Sequence, residues 1–234
     1  MPTHTGLRGL DLSLSCFAIR STIRTLSLLP VWAEELYCMS SLSGASSCAV
    51  ALLVALPQEL DAAALPGVPV VYTGVGKVNA AIAAAHCIQQ YRPRLLLNFG
   101  SAGRVRPGPQ GLLEIGRVLQ RDMLAEPLAP RGTTPFHAGP HALESGLPGL
   151  VCATGDSFVT GPDPWFGTQG VDVVDMELFA LAAVCQRSGV PWRALKFVSD
   201  DANTESGNDW AANVRVGQAL FLTWWQQHHA TLGA

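Results

Sequence analysis

Three carboxylates stand just past predicted strands or at the start of a predicted helix: Glu59 in Leu56-Pro57-Gln58-Glu59, Glu177 in Val173-Val174-Asp175-Met176-Glu177, and Asp200 in Ser199-Asp200-Asp201. Carboxyl groups so placed can hold a proton, act on a water molecule or accept hydrogen bonds from hydroxyls. Two Gly-rich turns accompany them, Thr73-Gly74-Val75-Gly76-Lys77-Val78-Asn79 and Asn98-Phe99-Gly100-Ser101-Ala102-Gly103. In open α/β sheets ligands sit beyond the carboxyl ends of the strands, so this coincidence reads as a site. Plainer alternatives exist for each residue. Glu59 and Glu177 would also suit the first turn of a helix, where a carboxylate meets the helix dipole, and Asp200-Asp201 would suit an acidic turn or cap. His137 and His141 do not read as a metal pair, because they lie in a Pro/Gly loop with no third ligand nearby.

The elements that must position these residues alternate in type. Val50 to Ala55 and Val68 to Tyr72 read as buried strands, and Lys77 to Tyr91 carries apolar residues at helical spacing. Arg94 to Asn98 returns to strand and is expected to break at Gly100. Leu113 to Gln120 and Leu150 to Ala153 are further strands, separated by a Pro-, Gly- and His-rich stretch, Arg121 to Gly149, expected to be an extended loop. Met176 to Arg187 reads as a helix, Trp192 to Val198 as a strand, and Ala211 to His228 as a closing amphipathic helix. Apolar strands alternating with helices predict an α/β fold, a three-layer α/β/α sandwich around a mixed, largely parallel sheet.

Composition narrows the function classes. With 48% apolar and 14% charged residues in 234, the chain can bury a substantial core as one domain, expected over residues 46–234. Residues 1–45 lack the Gly-punctuated rhythm and scatter Arg8, Arg20 and Arg24 around Asp11, unlike a secretory signal. They are expected to be a disordered leader, or the native chain to start at Met39, in preference to a transit peptide. Fifteen Lys+Arg against 18 Asp+Glu leave no basic footprint for nucleic acid or an anionic membrane. No run approaches the roughly twenty apolar residues of a membrane span. The six cysteines show no C-x-x-C pair, and Cys87 and Cys185 sit in apolar helical patterns, so a reducing, cytoplasmic compartment is expected.

In the order and content of these motifs, residues 50–225 resemble the nucleoside phosphorylase and hydrolase superfamily, and within it the 5'-methylthioadenosine/S-adenosylhomocysteine nucleosidases. Val174-Asp175-Met176-Glu177 followed by Ser199-Asp200 carries most of that resemblance. It implies cleavage of an N-glycosidic bond through an oxocarbenium-like state, for which the departing purine must be protonated. Asp200 matches the acid for purine N7, with Ser199 positioning it; Glu59 matches the carboxylate that acts on the attacking water. Glu177 matches the residue that binds ribose hydroxyls, and Met176 the one that packs beneath the ribose. Phe158 matches the aromatic that stacks on the purine, and backbone groups at Val159 those that read its edge. Trp210 falls where an aromatic stands near the 5' substituent. Val75, Ser101, Ala102 and Gly103 belong to the corresponding turns.

Phosphorolysis would require arginine forks for a dianion. The first loop has none, and Asn98 stands where the phosphorylases place an arginine, so water is the expected nucleophile. Lys196 occupies a position where bacterial nucleosidases carry an arginine, and the segment 104–149 differs from theirs. The resemblance implies no metal or organic cofactor, a small-molecule purine nucleoside as substrate, and a homodimer. A nucleosidase for another 5' group, such as a futalosine-type hydrolase, a phosphorylase, and a nucleoside-binding protein are the alternatives.

Overall fold

The structure, a computed structural model, describes residues 47–203, 210, 213 and 215–233. The expected leader, and Ala211, Ala212 and Val214 of the expected last helix, lie outside the described residues.

β1 (Val50–Val54) is buried along its whole length because it is paired on both edges, with β2 (Val70–Tyr72) and β3 (Leu95–Arg104), both parallel. An unbroken run of Val, Ala and Leu is what such a two-sided position demands. The remaining strands are β4 (Leu112–Gln120), β5 (Ala142–Glu144), β6 (Leu150–Thr154), β7 (Val173–Asp175) and β8 (Trp192–Asp200). The sheet is mixed: β8 runs parallel to β3 but antiparallel to β4, and β7 is parallel to β6 but antiparallel to β3.

Three features differ from the sequence-based expectation. β3 does not break at Gly100 but continues to Arg104, since β8 pairs with it from Leu96 to Gly103 and β7 takes over its other edge at Gly103. The second follows from the first. The extended β3 joins β8 and β7, which in turn join β4 and β6, so five strands close in a ring, β3-β8-β4-β6-β7, instead of lying only in an open sandwich layer. β5 interrupts the expected loop between Arg121 and Gly149, pairing with β4.

Helices pack against this sheet through small residues. α1 (Lys77–Tyr91) buries Ala80, Ala84 and Cys87, and α3 (Leu178–Ser188) buries Leu178, Leu181 and Cys185 in the same cluster; α2 (Pro164–Gln169) is a short helix capped by Asp163. α4 (Val216–His228) joins a second cluster through Phe221, which stacks on Phe99 of β3 at 4.4 Å between ring centroids. Each such fully buried large side chain contributes roughly 1.5–3 kcal/mol. Burial pushes the Cys87 and Cys185 thiols up to about 12, so both behave as apolar core groups. Among the described residues no helix is long and apolar enough to cross a membrane.

Candidate active site

The carboxyl ends of β1, β6, β7 and β8 and the second half of β3 surround one cleft of about 260 Å³. Eleven of the residues predicted from the sequence line it: Glu59, Val75, Ser101, Ala102, Gly103, Phe158, Val159, Met176, Glu177, Asp200 and Trp210. Lys196 and Ser199 do not; both are buried behind its wall.

Strand register explains most of this placement. Gly103 of β3 lies opposite Asp200 of β8, and Gly100 opposite Lys196. Asp200 is held by its neighbours, Oδ2 accepting from Ser199 Oγ at 2.9 Å and Oδ1 from the Ala202 N–H at 2.9 Å. Glycine is needed at position 103, because a Cβ there would stand 2.7 Å from Asp200 Oδ1.

Glu59 sits in a turn rather than on a helix, which removes the helix-dipole alternative. Its Oε1 accepts from the Ser101 N–H and the Ser101 hydroxyl, both at 2.7 Å, and its Oε2 from the Leu56 N–H at 3.1 Å. Trp210 Nε1 donates to the same Ser101 oxygen at 2.8 Å. Glu177, only 7% exposed, accepts from the Gly76 N–H at 2.9 Å, which ties the start of α3 to the first Gly-rich turn. Burial, reinforced by the nearby Asp175 carboxylate, raises its pKa to about 7, although Lys196 and the Gly76 N–H pull the other way.

Behind Glu177, Lys196 Nζ pairs with Asp175 Oδ2 at 2.8 Å. Burial favours the neutral lysine, but the carboxylates of Asp175 and Glu177 outweigh it and hold the ammonium charged. Asp175 is likewise kept ionised: burial raises its pKa, and Lys196, the Thr154 hydroxyl and the Leu178 N–H more than reverse that. Asp175 also lines the cleft, beside the predicted Met176 and Glu177.

Arg121, in the segment 104–149 that differs from that of the nucleosidases, is a further charged lining residue to which the sequence reading gave no role. It follows β4, so the rule of looking just beyond strand ends would have found it, but a lone arginine has no motif around it. It is 6% exposed and forms no carboxylate pair within 4.0 Å among the described residues. Its guanidinium donates to the Gly155 carbonyl at 2.9 Å, to the Ser157 carbonyl, and to Ser157 Oγ at 3.2 Å. It thereby grips the loop that carries Phe158 and Val159. Asp122, beside it, pairs with Lys77 Nζ at 2.5 Å. His137 and His141 line a different hollow, and among the described residues no group of three His, Cys, Asp or Glu side chains is placed to hold a metal ion.

The sequence profile of the phosphorylase superfamily matches residues 65–122 and 149–221, more than half of the chain and all of the cleft's walls except the Glu59 turn. The chain belongs to the phosphorylase superfamily. The unmatched residues between the two blocks are those around β5. Among members of the superfamily, the chain is 30% identical over 191 residues to a 5'-methylthioadenosine/S-adenosylhomocysteine nucleosidase of Shewanella oneidensis, covering 67% of this chain and 77% of that protein. Solved structures share the fold. A Helicobacter pylori 5'-methylthioadenosine/S-adenosyl homocysteine nucleosidase superposes with a TM-score of 0.70 at 22% identity, covering 80% of this chain and 100% of that one. The futalosine hydrolase of the same organism superposes with a TM-score of 0.69 at 21% identity, over 76% and 96%.

Proposed function

We propose that the protein is a purine-nucleoside N-ribohydrolase that cleaves 5'-methylthioadenosine and S-adenosylhomocysteine to release adenine, with water as the nucleophile. The observation that carries this reading is the convergence of Glu59, Glu177 and Asp200 on one cleft, each anchored by a hydrogen bond from backbone or hydroxyl. The relatedness to nucleosidases supports the substrate class.

In this reading Asp200 donates a proton to purine N7 as the C1'–N9 bond breaks, and Ser199 and the Ala202 N–H fix its oxygens. The ribose acquires positive character. Glu177 accepts hydrogen bonds from the ribose hydroxyls and favours that charge when ionised. Glu59 takes a proton from the attacking water, whose oxygen bonds to C1', and the released base keeps the proton given by Asp200. Phe158 stacks on the purine, Val159 reads its edge, Met176 packs under the ribose and Trp210 walls the 5' side. No step calls for a metal or organic cofactor.

Phosphate fits the cleft poorly. Asn98 donates to the Leu53 carbonyl at 3.0 Å and does not line the cleft, and Arg121, the one lining cation among the described residues, already holds three loop oxygens. A homodimer is supported by the exposed apolar Val78 and Ile82, one helical turn apart on α1, and by exposed Leu124 and Leu128. The catalytic domain spans residues 46–234.

The test is adenine release from 5'-methylthioadenosine with and without phosphate, with adenosine and inosine as comparison substrates. Phosphate-independent release favouring the methylthio compound is expected. Strict phosphate dependence would make the protein a phosphorylase, and no release from any nucleoside would make it a binding protein.

A further inference from the structure

We infer that Trp210 is a positioning residue for Glu59, acting through the Ser101 hydroxyl; this rests on the reading of Glu59 as the group that acts on water. A serine hydroxyl has one proton and two lone pairs. With the Trp210 indole N–H occupying one lone pair at 2.8 Å, the Ser101 proton is directed to Glu59 Oε1 at 2.7 Å. Oε1 then has two donors, the Ser101 hydroxyl and the Ser101 N–H, which fill its in-plane acceptor positions. Among the described residues Oε2 has only the Leu56 N–H. One acceptor position on Oε2 remains, and it is the one left for the proton of water.

The link joins residues far apart in the chain: Trp210 and Ser101 are separated by 109 positions, Ser101 and Glu59 by 42. Trp210 therefore does more than wall the 5' side of the cleft. It sets which Glu59 oxygen is free and which way the carboxylate plane faces, without touching the reacting atoms.

Two substitutions separate this from a packing role. Trp210→Phe keeps an aromatic wall but removes the indole donor. It should lower kcat roughly tenfold, a fraction of what a positioned acid–base group supplies, and leave KM nearly unchanged. Ser101→Ala should do the same, and adding Trp210→Phe to it should change nothing further, because the connection is already cut. Unaltered kcat in Trp210→Phe, or losses that multiply in the double variant, would overturn the inference. A measurement without turnover keeps it separate from the proposed activity. The indole N–H resonance of Trp210, identified by its disappearance in Trp210→Phe, should shift on Glu59→Gln and should stop responding to that change in a Ser101→Ala background. A resonance indifferent to Glu59→Gln overturns the link even if the wild-type protein proves to be an active hydrolase. Failure of the wild type to release adenine would instead sink the functional reading and leave the spectroscopic link standing.

Discussion

Lys196 Nζ lies 2.8 Å from Asp175 Oδ2, with both side chains 1% exposed, directly behind the carboxylate of Glu177. Two charges removed from water stabilise a fold only as long as they keep each other. Asp175 is further committed to the Thr154 hydroxyl at 2.5 Å and to the Leu178 N–H at 2.9 Å at the start of α3. Lys196→Met would strand this carboxylate in the core. It is expected to lower stability by about 3–5 kcal/mol, and a second change, Asp175→Asn, should restore part of that loss. Urea unfolding of the single and double variants reads both numbers; equal stability of wild type and Lys196→Met would show that the pair contributes nothing.

Glu177 supplies a pH dependence of defined sign. Its folded-state pKa of about 7 lies above its ordinary 4.5, so the native state binds this proton more tightly than the unfolded chain does. The associated stability is complete below pH 4.5 and is lost as pH rises through 7. Glu177→Gln, which cannot ionise, should therefore gain on the wild type in urea unfolding as pH is raised across that window. The proposed role needs the ionised form, so kcat/KM of the wild type should climb with pH through about 7. A flat stability difference between pH 5 and 8 would refute the shifted titration.

Arg121 offers a test of how the loop that carries Phe158 and Val159 is held. Its planar guanidinium reaches the Gly155 and Ser157 carbonyls and Ser157 Oγ together, a spread that a lysine ammonium cannot match. Arg121→Lys should keep the fold and raise KM for the nucleoside roughly tenfold or more, the scale of one or two lost charge-assisted hydrogen bonds. Its kcat should fall less. Isothermal titration with a non-hydrolysed nucleoside analogue would check this, and unchanged affinity would remove Arg121 from the site.

The parts of this molecule that could be read in the sequence are those governed by local rules. α1 spans Lys77–Tyr91 as its periodicity predicts, and β1, β4 and β6 match their apolar runs within one or two residues. What escaped was set by pairing between distant segments. Gly100 and Gly103 look like a turn, yet they continue β3 because β8 and β7 occupy its edges. The same pairing closes the ring, which no single segment encodes. In the site, the carboxylates with a motif around them were legible, whereas the part of Arg121, and of Asp175 as the buried partner of Lys196, became visible only when distant strands were brought together.

Gly103 connects register to chemistry. It lies opposite Asp200, and its missing side chain leaves room for Oδ1 to receive the Ala202 N–H. Gly103→Ala would put a Cβ 2.7 Å from that oxygen and 3.3 Å from the Ala202 Cβ, closer than carbon and oxygen tolerate. The carboxyl must rotate or β8 must shift, and either movement takes the proposed acid away from the base it would protonate. A displacement of about 1 Å at a reacting group can cost roughly a hundredfold in rate. Gly103→Ala is therefore expected to lose at least that much in kcat with a fold that still melts cooperatively, while Asp200→Asn, which keeps the shape but cannot donate the same proton, should abolish turnover and leave nucleoside binding mostly intact. Near-normal turnover by Asp200→Asn would show that another group protonates the base.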